Sequence, residues 1–145
     1  MATYFAPQWM KNRGISDAEY RAWLTSQTDA IWERERKKKK SGCPTPSILK
    51  GKLDSAVHRS NGHDPYSGMK LNVDRIRADW FDTAKDIEGT RHHRTLRRAM
   101  VSFDHVKGMG KSEYELCSRE TNSAKAYLSP KQFIELCRKV AKRHP

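Results

Sequence analysis

Apolar residues follow a helical spacing over the first half of the chain and a short strand-like spacing after about residue 99. "ISDAEYRAWLTSQTDAIWERERKKKK" places Tyr20, Trp23, Leu24, Gln27 and Ile31 on one face of a helix. Ser16 and Glu19 stand as a capping box ahead of it. The spacing predicts one long helix whose tail turns basic through Arg34, Arg36, Lys37, Lys38, Lys39 and Lys40. Lysines suit a helix C-terminus, but four in succession exceed what capping needs. They form either a solvated charge run or a phosphate contact. "SGCPTP" breaks the pattern, with Thr45 as a cap and Pro46 at the first helical position. Leu49, Leu53 and Val57 then predict a second helix that runs to about Arg59 and stops at "SNGHDP". Val73, Ile76 and Trp80 predict a short helical stretch, and "KDIEGTRHHRTLRRA" fits either an irregular loop or a frayed helix.

Beyond residue 99, "AMVSFDHV" alternates loosely and is rich in strand formers, and "YELC" is a second short apolar run. "KGMGK" between them carries the glycines of a hairpin loop. A helix is expected around "RETNSAKAY". Ser129-Pro130 then opens a closing helix with Phe133, Ile134, Leu136, Cys137 and Val140 as its apolar face. The expected class is α+β and mostly helical, with an N-terminal helical region over residues 1–62 and a hairpin-and-helix region over 63–145.

Charge narrows the function. Twenty-nine Lys and Arg stand against 17 acids, for a net charge of +12 and a pI near 9.8. A domain this basic meets a polyanion: DNA, RNA or an anionic surface. A hydrophobic fraction of 36% and a mean hydropathy of -0.93 allow only a modest core. No apolar stretch is long enough to span a membrane, and "MATYFAPQWMKNRG" lacks the basic start and apolar run of a signal peptide. The cytoplasm is therefore the expected compartment. Cys43, Cys117 and Cys137 form no CxxC, which argues against a four-cysteine zinc site and for reduced, mostly buried thiols.

Asp104-His105 at the end of the first strand is a surface pair, a structural ion pair, or two parts of a metal-dependent hydrolase. A hairpin followed by a helix brings strand end and helix start together, so Asn122 can join them. Carboxylate and carboxamide oxygens are hard ligands suited to Mg²⁺ or Mn²⁺. A neutral imidazole beside them can take a proton from water.

"FDHV" followed by "YELCSRETNSAKAYLSPKQFIELCRKV" resembles the HNH endonuclease motif, the ββα-metal fold, with "NSAK" (Asn122 to Lys125) as its Asn-x-x-Lys. "DPYSGMKL" resembles the segment that precedes the core in such proteins. The resemblance spans roughly residues 63–143, its specific part lying in 101–137. It implies a C-terminal ββα-metal core that hydrolyses DNA to leave 5′-phosphate ends, in a bacterial or phage-encoded protein. His105 would be the general base, and Asp104 and Asn122 would hold one divalent cation, Mg²⁺ or Mn²⁺. Lys125 or Arg119 would clamp a neighbouring phosphate. Arg94, Arg97, Arg98, Lys107, Lys111 and the Lys37–Lys40 run would hold the backbone of DNA, with RNA or branched DNA as other substrates. Ser112 is the residue nearest the family's middle Asn. "PYSG" and the Cys117/Glu120 pair replace the family's zinc-binding CxxC pairs. No structural zinc is expected, and packing of Tyr66, Trp80 and the last helix would take its place. A non-catalytic nucleic-acid-binding protein on the same fold is the alternative, and a basic interaction protein dimerising through the first helix is a third reading.

Overall fold

The computed structural model describes residues 3–38, 44–77, 97–106 and 113–145. Trp80, the "KGMGK" loop, Ser112, Cys43, Lys39, Lys40, Arg94, Lys107 and Lys111 lie outside the described residues.

A short helix α1 (Gln8–Lys11) leads into α2 (Asp17–Lys38). Gly14, at φ +80°, makes the turn between them. The capping box is present: Ser16 N donates to Glu19 Oε2 at 2.9 Å, and Glu19 N donates to Ser16 Oγ at 3.2 Å. Tyr20, Leu24, Thr28, Ile31 and Glu35 are the buried stripe of α2. Thr45 caps α3 (Pro46–Arg59), which buries Leu49, Leu53, Ala56 and Val57 against α2 and the sheet. After Asn72 the described residues form a 3₁₀ turn, Asp74–Ile76, with Ile76 buried, and the rest of that predicted stretch lies outside the described residues.

β1 (Val101–His105) and β2 (Tyr114–Ser118) pair antiparallel, with Val101 opposite Ser118 and His105 opposite Tyr114. Asn72 extends this ribbon, donating from N to Ala99 O at 2.7 Å and accepting from Val101 N at 3.2 Å. Ser118 ends β2 and caps α4 (Arg119–Lys125), its hydroxyl accepting from Thr121 N at 3.1 Å. Ser129 and Gln132 form a second capping box that starts α5 (Pro130–Arg143). The fold is thus α+β: mostly helical, with one two-stranded hairpin followed by a helix near the C-terminus.

One apolar cluster joins both halves of the chain, from Tyr20, Leu24, Leu49 and Leu53 to Leu71, Phe103, Tyr114 and Leu116. Trp23 on α2 stacks on Phe103 of β1 with ring centroids 5.5 Å apart. Arg13 ties the N-terminal segment to the loop before the hairpin, donating to Leu71 O at 2.7 Å and Gly62 O at 3.1 Å. Gly62 has φ +82°, and a Cβ there would meet Arg13 Nη2 at 2.7 Å and Trp9 Cε3 at 2.8 Å. Both its backbone angle and this close approach require glycine.

The last helix differs from expectation. No residue of α5 is buried, and Ile134, Leu136 and Val140 remain exposed. Phe133 of that face packs edge-on to Tyr66, ring centroids 5.6 Å apart. Cys137 is also exposed, whereas Cys117 is buried. No helix among the described residues is long and apolar enough to cross a membrane.

Candidate functional site

β1 carries Asp104 and His105 to the end of the hairpin, and α4 returns alongside it with Asn122 and Lys125. Asp104 is 5% exposed, so the surface-pair reading does not survive. Its partner is Lys125, itself 2% exposed, with Nζ 2.9 Å from Asp104 Oδ2. That oxygen lies within ion-pair distance but lacks an aligned hydrogen bond. Lys125 Nζ also donates to His105 O at 3.4 Å. The sequence suggested Lys125 as a phosphate clamp; the fold buries it as the counter-charge to Asp104.

His105 is held from a direction the motif does not reveal. Its Nε2 lies 3.2 Å from Oε1 of Glu35, in the last part of α2. Its Nδ1 is buried and has no hydrogen-bond partner among the described residues. The Tyr114 ring packs on the imidazole, centroids 4.6 Å apart and planes tilted by 46°. Asn122 donates from Nδ2 to Ser102 Oγ at 2.8 Å and to Phe103 O at 3.0 Å. Those bonds fix the carboxamide and leave its oxygen as the atom for a further partner. Asp104, His105, Asn122, Lys125 and Glu35 line one cleft of about 600 Å³, with Arg34 and Lys38 at its α2 side.

A second hollow, of about 660 Å³, lies on the other side of Asn122 and is lined by Arg75, Arg77, Arg119 and Ser102. Burial, and then the charges of Arg119 and Arg97, push the Arg75 guanidinium below its ordinary value. Arg75, Arg77 and Arg119 thus give this hollow a cationic lining. Arg98 pairs with Glu120, its Nε 3.7 Å from Glu120 Oε1. Lys37 and Lys38 close α2, with Lys38 at the cleft.

Where the resemblance would place a zinc-binding pair, a buried carboxylate ties the loop to the sheet. Asp64 is 2% exposed. Its Oδ2 accepts from Ser118 N at 2.7 Å, and its Oδ1 accepts from Tyr66 N at 2.9 Å and Ser67 N at 2.8 Å. Burial pushes this carboxyl up, but the backbone donors Ser118, Ser67 and Tyr66 outweigh it and hold it below the ordinary carboxylate range. Tyr66 adds a bond from its hydroxyl to Glu115 Oε2 at 2.9 Å. Burial first, then the negative charges of Asp104, Asp64 and Glu115, push the Cys117 thiol far up.

Sequence reasoning missed Glu35, Asp64 and Arg75. Glu35 had a signal: it continues the Tyr20, Leu24, Ile31 stripe, where an apolar residue belongs. Asp64 and Arg75 carry no comparable mark. Compared with protein-family models, curated proteins and solved structures, the chain matches none.

Proposed function

We propose that the chain is a metal-dependent endonuclease of the HNH type that hydrolyses DNA phosphodiester bonds. The observation that carries this reading is the convergence of Asp104, His105 and Asn122 on one cleft, with cationic groups on both sides of it. Arg34 and Lys38 flank one side, and Arg75 and Arg119 the other. A duplex backbone laid across Asn122 would meet phosphate-binding groups in both directions, which gives affinity without base reading.

Asp104 and Asn122 fit a hard divalent cation in their donor chemistry. The buried Asp104 Oδ2 lacks an aligned hydrogen bond, so a cation there would share it with the Lys125 ammonium 2.9 Å away, and the carboxamide oxygen of Asn122 is free of the bonds that fix its nitrogen. Among the described residues no group of three or more His, Cys, Asp or Glu side chains could hold a metal ion. A cation on Asp104 and Asn122 would thus keep water and phosphate as its other ligands, as Mg²⁺ does. When bound, Mg²⁺ or Mn²⁺ supplies Lewis-acid stabilisation of charge on the phosphate.

The residues of the chain supply the rest. His105 Nδ1 takes a proton from water, and the water oxygen bonds to phosphorus. The bond from phosphorus to the 3′-oxygen breaks, and that oxygen takes a proton from solvent. A 5′-phosphate and a 3′-hydroxyl result. Arg34, Lys38, Arg75 and Arg119 hold the flanking phosphates in place.

Incubation of supercoiled plasmid with Mg²⁺, Mn²⁺ or a chelator tests this reading. Nicking with either cation, its loss with chelator, and 5′-phosphate ends are expected. A second reading, a non-catalytic nucleic-acid-binding protein, rests on the Lys125 ammonium already neutralising Asp104. It predicts tight, salt-sensitive DNA binding with no nicking under any of these conditions.

A further inference from the structure

We propose that Glu35 is a positioning residue for His105: its carboxylate fixes the imidazole as the Nε2–H tautomer and leaves Nδ1 as the nitrogen that accepts the proton. The inference rests on the nuclease reading for its catalytic consequence but not for the tautomer itself.

Glu35 comes from α2, far from the hairpin in sequence, in a stretch of Arg34, Arg36 and lysines. It is nevertheless 8% exposed, the acid that α2 turns inward. Burying a carboxylate is costly unless it is hydrogen-bonded, and His105 Nε2 stands 3.2 Å from its Oε1. An ionised carboxylate only accepts hydrogen bonds, so Nε2 must carry a proton. In a neutral ring the other nitrogen then bears the lone pair. That nitrogen, Nδ1, is buried without a hydrogen-bond partner among the described residues. Tyr114 restrains the ring plane at 4.6 Å, so tautomer and orientation are set by separate groups. Trp23, on the same helix, stacks on Phe103 two residues before His105, which fixes α2 against β1.

The test uses the full chain, as wild type, Glu35→Gln and Glu35→Asp, with two readouts. The first is the ¹⁵N spectrum of the His105 ring at about pH 9, above the ordinary imidazole range, assigned by comparison with His105→Gln. Wild type and Glu35→Asp should show Nε2–H, and Glu35→Gln a mixed population. The second is plasmid nicking with Mg²⁺. In Glu35→Gln, kcat should fall about 10- to 100-fold with KM within about twofold, as expected when the partner orienting a reactive imidazole is lost. Glu35→Asp should keep more of kcat than Glu35→Gln. An Nδ1–H tautomer in folded wild type, or a Glu35→Gln spectrum identical to wild type, overturns the proposal. So does a Glu35→Gln loss confined to KM. A wild type that nicks nothing overturns the nuclease reading instead, and the tautomer comparison still decides the role of Glu35.

Discussion

Lys125→Met should destabilise the protein by about 3–5 kcal/mol, because it strands a buried carboxylate. Lys125 Nζ and Asp104 Oδ2 are 2.9 Å apart, with side chains 2% and 6% exposed. At an effective dielectric near 20 that separation corresponds to a gross attraction of about 6 kcal/mol. Desolvation of both groups offsets most of it, so the intact pair contributes little net stability while either partner alone is costly. Met keeps the length of the side chain, so the loss reports charge rather than a cavity. Urea unfolding at neutral pH measures it through the midpoint at constant slope. The double variant Asp104→Leu/Lys125→Met should return to within about 1 kcal/mol of wild type. Mn²⁺ should then stabilise Lys125→Met more than wild type, because a cation on Asp104 replaces the missing ammonium and binding to the native state adds to stability. A Lys125→Met loss below about 1 kcal/mol would refute the buried pair. An Mn²⁺ shift equal in both proteins would place the cation away from Asp104.

Asp64→Ala should cost about 2–4 kcal/mol, since Ser118 N and the two loop N–H groups lose their acceptor. Because the folded pKa of Asp64 is depressed, its contribution is complete above the ordinary carboxylate pKa of about 3.9 and is lost as pH falls through the folded value. Wild-type urea midpoints should therefore drop more steeply below about pH 4 than those of Asp64→Asn; parallel curves would contradict this. In a Cys43→Ser background, a thiol reagent should label Cys137 in the native protein and Cys117 only after unfolding, because the latter is buried with its thiol pushed far up; rapid native labelling of Cys117 would show that β2 is not packed as described. Lys38→Ala and Arg119→Ala should each lower the slope of log affinity for plasmid DNA against log salt by about 1, and an unchanged slope in both would remove the two flanking tracks.

Much of the fold was legible because local chemistry and global packing agree. The Ser16–Glu19 box, the Thr45-Pro46 start and the Ser129-Pro130 start all appear as caps where the residues indicate. The strands form where the two apolar runs suggest, the second ending at Ser118, one residue beyond "YELC". The last helix was legible as an amphipathic helix but not in its packing, because periodicity reports a face and not whether anything covers it. Asp104, His105 and Asn122 could be placed together from element order alone. Their partners could not, since Glu35 reaches His105 across 70 positions of sequence and Asp64 reaches Ser118 across 54. Lys125 illustrates the same limit: a lysine in a basic protein suggests a surface, and only the packing of α4 on β1 shows it buried on a carboxylate.

The most direct test of the nuclease account is the single-turnover nicking rate of supercoiled plasmid in Mg²⁺, compared between wild type and His105→Ala at matched DNA occupancy. Losing a general base should slow nicking by about 10²- to 10⁴-fold while DNA binding holds. Nicking by His105→Ala at the wild-type rate would contradict the account.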